Sequence, residues 1–427
     1  PDMINTGNLV KNTSYKVIIP FYAYAALSFL AATILLVLSS KVFGAHYFQP
    51  PVLAVTHTMA LGWGTMMILG ASHQLFPVMI EGKLFSNFLA YLSFVLAGSG
   101  IPLLIYAFYT FNMNWPAQYG ALLINGGILC FLINIIVSLV RSKVKNVHAI
   151  FVVTATFWLL TTTIIGLLLI FNFTYPTFEK DSLYYLSLHA HLGIAGWFLL
   201  LVIGVGTRLI PMFLISKYTN ATLLWAIFIL INTALLGFVF IFLYTARGYL
   251  FAIPLAEVFA AVSLFAFYCY QSFKKRIRRQ TDNQIRISLL SVLMMGLPLV
   301  LLAVIAILFA VSTADTRLIM AYGFSIFFGW ITAMIFGMTF KTLPFIVWNK
   351  VYHHRAGLGK TPSPKDLYNV KIFNAMGVAY LSGFILFIGG VLLPDSLLLK
   401  VSASTLLLAA ILYNWNVYRV IFHTPIK

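Results

Sequence analysis

Long apolar runs separated by short polar breaks fill this chain from end to end. A helix that crosses a bilayer needs roughly 20 mostly apolar residues, and the runs reach or exceed that length. Reading from break to break predicts twelve helices, at about residues 16–43, 50–80, 84–111, 117–141, 147–173, 184–214, 219–245, 248–274, 285–311, 315–348, 371–394 and 396–422. The pattern therefore predicts an all-α integral membrane protein, with one twelve-helix domain over residues 1–427.

Composition excludes a water-soluble globule. Hydrophobic residues make up 61% of the 427 positions and charged residues only 8%, whereas soluble domains are about 25% charged. The two cysteines, Cys130 and Cys269, lie inside apolar runs, so neither a disulfide framework nor a cysteine metal site is expected.

The formal net charge of +18 is expected to mark membrane orientation rather than nucleic-acid binding. With the N-terminus inside, all but five of the 27 Lys and Arg residues fall on the cytoplasmic side, as the positive-inside rule requires. The basic run at 274–279 belongs to that side and is expected to contact lipid headgroups. Both termini are therefore predicted to be cytoplasmic. The five remaining cations are Lys41, Lys180, Arg247, Arg317 and Lys400.

A pattern of Gly-Trp, six residues, Gly, six residues and Pro occurs three times without a gap. It ends at Pro77 in the second predicted helix, Pro211 in the sixth and Pro344 in the tenth. We interpret it as three pseudo-symmetric four-helix repeats, at approximately 16–141, 147–274 and 285–422. Glycines in membrane helices let a neighbouring helix or a flat cofactor approach closely. Taken alone, these glycines and prolines are also explained by packing and by helix termination.

Four histidines lie within the repeated helices, where an ionisable residue is a functional candidate by default. His57 and His191 both stand twenty residues before their repeat proline, which predicts two facing imidazoles, as a bis-histidine haem requires. His189 is two residues from His191, so the two point about 200° apart; either they serve two sites or one is no ligand. Hydrogen bonding inside the bundle is the plainer alternative.

The sequence HAHLGIAGWFLLLVIGVGTRLIPMF, which starts at His189, resembles a motif of the haem–copper oxidase main subunit. That family has twelve spans in three pseudo-symmetric units, and the likeness covers the whole chain. It implies haem b, with His57 and His191 as ligands of a low-spin haem and His189 as a ligand of a high-spin haem. It also implies a bacterial inner-membrane location, and quinol or cytochrome c as the electron donor.

The chain also departs from the oxidases. Their His-x-His motif lies on helix 10 and here it lies on helix 6, while the predicted helix 7 has none of the histidines that ligate copper. A copper centre at the usual site is therefore not expected. The chain is more similar to a divergent, oxidase-like branch that includes haem proteins linked to nitric oxide stress. This likeness implies a small gas, nitric oxide or oxygen, as ligand or substrate.

Other polar groups are candidates for proton or cofactor handling. Glu257 is the one carboxylate deep within a predicted span, and with His73 it is a candidate for a proton or quinone role. His73 lies sixteen residues past His57, about 24 Å along the helix, so it belongs to a different site. Arg317, at the start of the tenth helix, is the first candidate partner for haem propionates, and Arg247 and Lys180 are further candidates from the loops.

Two other classes of function remain open at this stage. One is a membrane transporter or channel without a cofactor, although charged residues that line substrate paths are nearly absent. The other is an accessory subunit for assembly that kept the fold and lost the chemistry. The haem hypothesis itself leaves open whether the protein is an oxidoreductase or only transfers electrons.

Overall fold

A computed structural model describes residues 13–245, 247–277, 279–311, 315–353 and 361–425. Twelve helices in it are long and apolar enough to span a membrane, which confirms the predicted fold class and helix number. No β-strand occurs among the described residues. The helices are α1 Tyr15–Leu38, α2 Pro50–Met79, α3 Asn87–Tyr109, α4 Trp115–Arg141, α5 Val147–Thr174, α6 Leu186–Leu214, α7 Ala221–Tyr244, α8 Gly248–Lys274, α9 Asn283–Phe309, α10 Thr316–Tyr352, α11 Val370–Leu392 and α12 Ser396–Ile421.

Helix ends agree with the predicted ends to within a few residues, with two exceptions of note. Helix α1 stops at Leu38, five residues early, and the chain continues as a 3₁₀ helix over Ser40–Gly44. Helix α9 is interrupted at Met295, because Pro298 lacks the N–H that would bond to the carbonyl group four residues earlier. Arg278, within the predicted basic run, lies outside the described residues.

Three helices form the interior of the bundle, and they are the three that carry the Gly-Trp pattern. In the most apolar 18-residue stretch of each helix, the share of buried residues is 78% in α2, 78% in α6 and 72% in α10. It is 22–50% in the other nine helices. The outer helices expose large apolar side chains such as Val95, Leu236 and Val378. A surface of this kind is stable against lipid and not against water. The protein is therefore an integral membrane protein.

Each inner helix changes to π-helical hydrogen bonding over one short segment, at Thr58–Thr65, Leu192–Leu199 and Ser325–Ile331. The residue just before each segment is the one twenty places before the repeat proline: His57, His191 or Phe324. A π turn inside an α-helix is rare and occurs often at functional sites. The segments also contain the repeated Gly-Trp pairs.

The second glycine of each repeat packs against the preceding outer helix. A Cβ atom added there would lie 2.2–2.5 Å from a side chain of that helix, closer than real atoms approach. The contacts are Gly70 with Phe21 of α1, Gly204 with Phe151 of α5 and Gly337 with Ser288 of α9. Glycine is therefore required at these positions for close helix approach.

Candidate functional site

The imidazole rings of His57 on α2 and His189 on α6 form a pair. Their centroids are 6.3 Å apart and their planes differ by 17°. Each ring lies near the end of its helix that is remote from the repeat proline, and each lines a large cavity. The structure thus brings together two histidines from different helices, at one depth.

Backbone carbonyl groups fix the protonation of both rings. The Nδ1 atom of His57 is 2.8 Å from the carbonyl oxygen of Leu53, and Nδ1 of His189 is 3.0 Å from that of Thr162. A carbonyl oxygen only accepts hydrogen bonds, so Nδ1 carries the proton in each ring. In the neutral ring, Nε2 then keeps its lone pair and is free to bind a metal ion.

Space for the His189 ring is made by a glycine on α5. A Cβ atom at Gly166 would lie 2.8 Å from Cε1 of His189. The same helix supplies the carbonyl group of Thr162 that bonds to the ring. Because Gly166 and Thr162 are one turn apart, a single face of α5 sets both the position and the tautomer of this histidine.

His191 faces other helices, as its two-residue separation from His189 predicts. Its ring centroid lies 5.3 Å from that of Phe238 on α7 and 5.9 Å from that of Tyr322 on α10. Its Nδ1 is 2.7 Å from the carbonyl oxygen of Ser187, so Nε2 is again free for a metal ion. His57 therefore pairs with His189, and not with His191 as the repeat position had indicated.

Two further contacts join the inner helices. The indole N–H of Trp197 donates to the hydroxyl group of Thr65, and that of Trp63 donates to Thr332, each over 3.0 Å. All four groups are buried. These hydrogen bonds connect α6 to α2 and α2 to α10.

A constant offset explains why His189, and not His191, faces His57. Four contacts join the inner helices: His189 with His57, Trp197 with Thr65, Trp63 with Thr332 and Tyr322 with His191. In each contact, the residue named first stands two places further from the proline of its own Gly-Trp pattern than the residue named second. Residues two apart point about 200° from one another, so they lie on opposite flanks of a helix. Contacts between opposite flanks are what a rotational arrangement of parallel helices would produce, since it brings two different surfaces together. In these four contacts, residues at the same position relative to the proline do not meet.

The cavity beside these rings has a volume of about 1650 Å³ and a mainly apolar lining. It exceeds the roughly 300–1,000 Å³ of ordinary small-molecule pockets. We name two parts of this cavity by the ring pairs that line it: the first lobe is the part beside His57 and His189, and the second lobe is the part beside His191 and Tyr322. Phe108 and Gly166 contact the rings of the first lobe, and Phe238 contacts the His191 ring in the second.

Cationic groups near the cavity differ from the predicted one. Arg317 forms an ion pair with Asp315, with 2.6 Å between Nη2 and the carboxylate, and it does not line the cavity. Asp315 also caps the start of α10, which explains why the arginine is held there. Lys180 has its Nζ atom 3.7 Å from the ring centroid of Tyr184, which lines the cavity, and Arg247 directly precedes the lining residue Gly248.

Neither of the two proton or quinone candidates lines the cavity. His73 is fully buried between the rings of Phe21 and Phe131. Neither of its ring nitrogens has a partner with hydrogen-bond geometry, although the Leu69 carbonyl lies one turn earlier. Glu257 is half-buried on α8 and does not line the cavity. The structure places neither residue with the histidine pair.

Within the described residues, no group of three or more His, Cys, Asp or Glu side chains is placed to hold a metal ion. A haem iron needs only one or two axial ligands from the protein, so this finding concerns sites built wholly from side chains. No protein-family model matches the chain, and no curated protein matches it.

Proposed function

We propose that this protein is a membrane b-type haem protein with a fold like that of the haem–copper oxidase main subunit, and that it transfers electrons or binds and reduces a small gas. The observation that carries the proposal is the pairing of His57 with His189. Haem is a redox group that takes one electron at its iron or binds a diatomic gas there.

The histidine pair has dimensions that suit one iron between two imidazoles. With a metal–nitrogen bond of about 2 Å on each side, the ring centroids are expected roughly 6 Å apart. The separation in the structure is 6.3 Å. Both rings keep Nε2 unprotonated in their neutral forms, for the reason given above, and the flanking lobe is apolar. These features fit a haem with two histidine ligands.

The chain's own residues position the ligands and exclude water. The carbonyl groups of Leu53 and Thr162 hold the rings in one tautomer, which also makes Nε2 a stronger electron donor. Gly166 allows the His189 ring to lie against α5. Arg317 is already paired with Asp315, so in this proposal Lys180 and Arg247, which adjoin lining residues of the cavity, pair with the haem propionates.

A threefold arrangement of the inner helices is part of the proposal. The contacts run from α6 to α2, from α2 to α10 and from α10 to α6, always with the same two-place offset. The three π segments and the three close glycine contacts also fall at equivalent positions. A cyclic order with one repeated contact is what three related four-helix units produce.

The remaining features of the proposal follow from the sequence. The positive-inside pattern favours cytoplasmic termini in a bacterial inner membrane. Quinol or cytochrome c is proposed as electron donor, and nitric oxide or oxygen as the gas. Helix α7 contains no histidine, so the proposal includes no copper at the site that oxidases use.

An absorption spectrum of the purified protein tests the haem assignment. We expect a Soret band, with the sharp reduced bands of a low-spin b-type haem, and their loss in both His57→Ala and His189→Ala. His148→Ala is the matched control, because its Nδ1 also lies against a backbone carbonyl group, that of Gly204, while the residue does not line the cavity. A colourless preparation contradicts the proposal and favours a transporter or an assembly subunit.

A further inference from the structure

A side-chain amide on α4, that of Asn125, joins this helix to α5 by two opposed hydrogen bonds. Its Nδ2 atom donates to the carbonyl oxygen of Thr163 over 3.1 Å, and the Thr163 hydroxyl group donates to its Oδ1 atom over 2.9 Å. Nδ2 also donates to the carbonyl oxygen of Ala121 in its own helix, over 2.9 Å. The amide is therefore fixed on α4, and it holds Thr163 by both its backbone and its side chain.

Thr163 directly follows the residue that orients the His189 ring. The carbonyl oxygen of Thr162 accepts the Nδ1–H of His189, and Asn125, Thr162 and Thr163 all line the cavity beside that ring. A shift or a rotation of α5 would move the Thr162 carbonyl group relative to α6. Two opposed bonds to the adjacent residue restrict both movements, so Asn125 is placed to hold the acceptor of His189.

The two histidines of the pair differ in what holds their acceptors. His57 is oriented by the carbonyl group of Leu53, four residues earlier in the same helix, so this acceptor moves with the ring it orients. His189 takes its acceptor from a neighbouring helix. Its orientation therefore depends on how α5 is held, and hydrogen bonds between side chains of membrane helices hold helices together.

We propose that Asn125 is a positioning residue for His189, which holds the Thr162 carbonyl group where it keeps the ring protonated at Nδ1 and unprotonated at Nε2. Outer partners of this kind fix the tautomer of a ligating histidine and raise its basicity. The inference rests on the proposed function for the haem that the ring would bind. The tautomer itself is a property of the protein and can be measured without haem.

The tautomer is tested by ¹⁵N NMR of the full-length protein in detergent, with labelled histidine and produced in haem-deficient cells. The shifts of the ring nitrogens distinguish protonation at Nδ1 from protonation at Nε2, and the His189 signals are assigned by their loss in His189→Gln. We expect the Nδ1-protonated form in the wild type and a mixture of both tautomers in Asn125→Leu. Thr163→Ser, which keeps the hydroxyl group, should resemble the wild type.

Asn232→Leu is the matched control, because Asn232 on α7 also joins its helix to α5. Its Oδ1 accepts the indole N–H of Trp158 over 2.9 Å and its Nδ2 donates to Phe228 in its own helix, but it does not line the cavity. Both leucine variants should lower the melting temperature. Only Asn125→Leu should change the His189 tautomer.

Haem b added to the same proteins gives a second measurement. In Asn125→Leu, haem affinity should fall about 10–100-fold, and the reduction potential should rise, because a less basic ligand stabilises ferric iron less. An unchanged tautomer in Asn125→Leu overturns the inference, as does an equal change in Asn232→Leu. A wild type that binds no haem, with the expected change of tautomer in Asn125→Leu, contradicts the proposed function and supports the positioning role.

Discussion

The indole N–H of Trp197 donates a hydrogen bond to the hydroxyl group of Thr65, 3.0 Å away, and both side chains are buried between two inner helices. The pair lies on the wall of the cavity, eight residues further along each helix than the rings of His189 and His57. It therefore fixes how far α2 and α6 are shifted relative to each other along their axes, close to the histidine pair.

Replacing Thr65 by valine should destabilise the fold by about 1 kcal/mol, because hydrogen bonds between membrane helices contribute roughly 0.6–2 kcal/mol. The shape of the side chain is kept while the acceptor is lost. Thermal unfolding in detergent measures the effect. Thr233→Val is the control, because that hydroxyl group bonds only to its own helix, at Ile229 and Leu230. Equal losses in the two variants would contradict the role given to Thr65.

Substituting alanine for Gly166 should change the histidine pair without unfolding the protein. The new methyl group would lie 2.8 Å from Cε1 of His189, so the ring must move. We expect a shifted or weakened low-spin spectrum at nearly unchanged thermal stability. Gly237→Ala on α7 is the control, since nothing lies within 4 Å of the added atom. A normal spectrum in Gly166→Ala would show that the ring position is not set by this contact.

Substituting alanine for Gly204 should destabilise the bundle. The added Cβ would lie 2.3 Å from Cβ of Phe151, and overpacking of this kind costs about 1–3 kcal/mol. Gly237→Ala should instead be neutral or stabilising, because alanine is favoured over glycine in a helix by about 1 kcal/mol. Opposite signs in the two melting temperatures are the expected result, and a stabilised Gly204→Ala would contradict the packing described.

The end of α12 should loosen as the pH falls. Burial, together with the charge of Arg419, lowers the pKa of His423 from its ordinary value, and its Nε2 lies 2.8 Å from the Tyr352 hydroxyl group. A lowered pKa means that the folded state favours the neutral ring. The stability from this group is thus present above the unfolded pKa, about 6.5, and is lost as the pH falls through the folded pKa.

Hydrogen exchange of residues 422–424 at pH 8 and pH 5 measures this effect, with each rate divided by the intrinsic rate at that pH, because base catalysis makes unprotected amides exchange much faster at pH 8. Lower protection is expected at pH 5, and the difference in protection between the two pH values should be smaller in His423→Gln, which has no titrating ring. An NMR titration that gives His423 a pKa at or above 6.5 would rule the mechanism out.

The number and approximate limits of the helices were predictable, because bilayer thickness imposes a single length scale on apolar runs. The break in α9 at Met295 was not recognised, although Pro298 was visible in the sequence. Hydropathy averaged over a whole span does not register one missing hydrogen bond. The Gly-Trp pattern singled out three helices as equivalent without predicting their burial, and the structure buries these three most deeply.

The binding of haem by the three histidines stays a prediction, and the structure bears only on which of their rings lie face to face. His57, His189 and His191 all line the cavity, but equal repeat position was taken to mean that two residues face each other. Under the proposed threefold arrangement, equivalent residues point in equivalent directions, so the two-place offset follows from the sequence pattern. The partners of Arg317 and His73 depend on packing and could not be read from spacing.

The π segments give the inner helices a property that a uniform helix lacks. Each π turn takes more residues than an α turn, so it sets the angular phase of the residues before it relative to those after it. In α6 the two histidines lie before this turn, and the glycine that packs on α5 lies after it. Loss of one residue between His191 and Gly204 would therefore rotate both histidines together by about 100°. The part of α6 that follows, from Gly204 to Leu214, would keep its packing. The orientation of His189 in the first lobe and that of His191 in the second therefore depend on the same π turn, and a single deletion would change both.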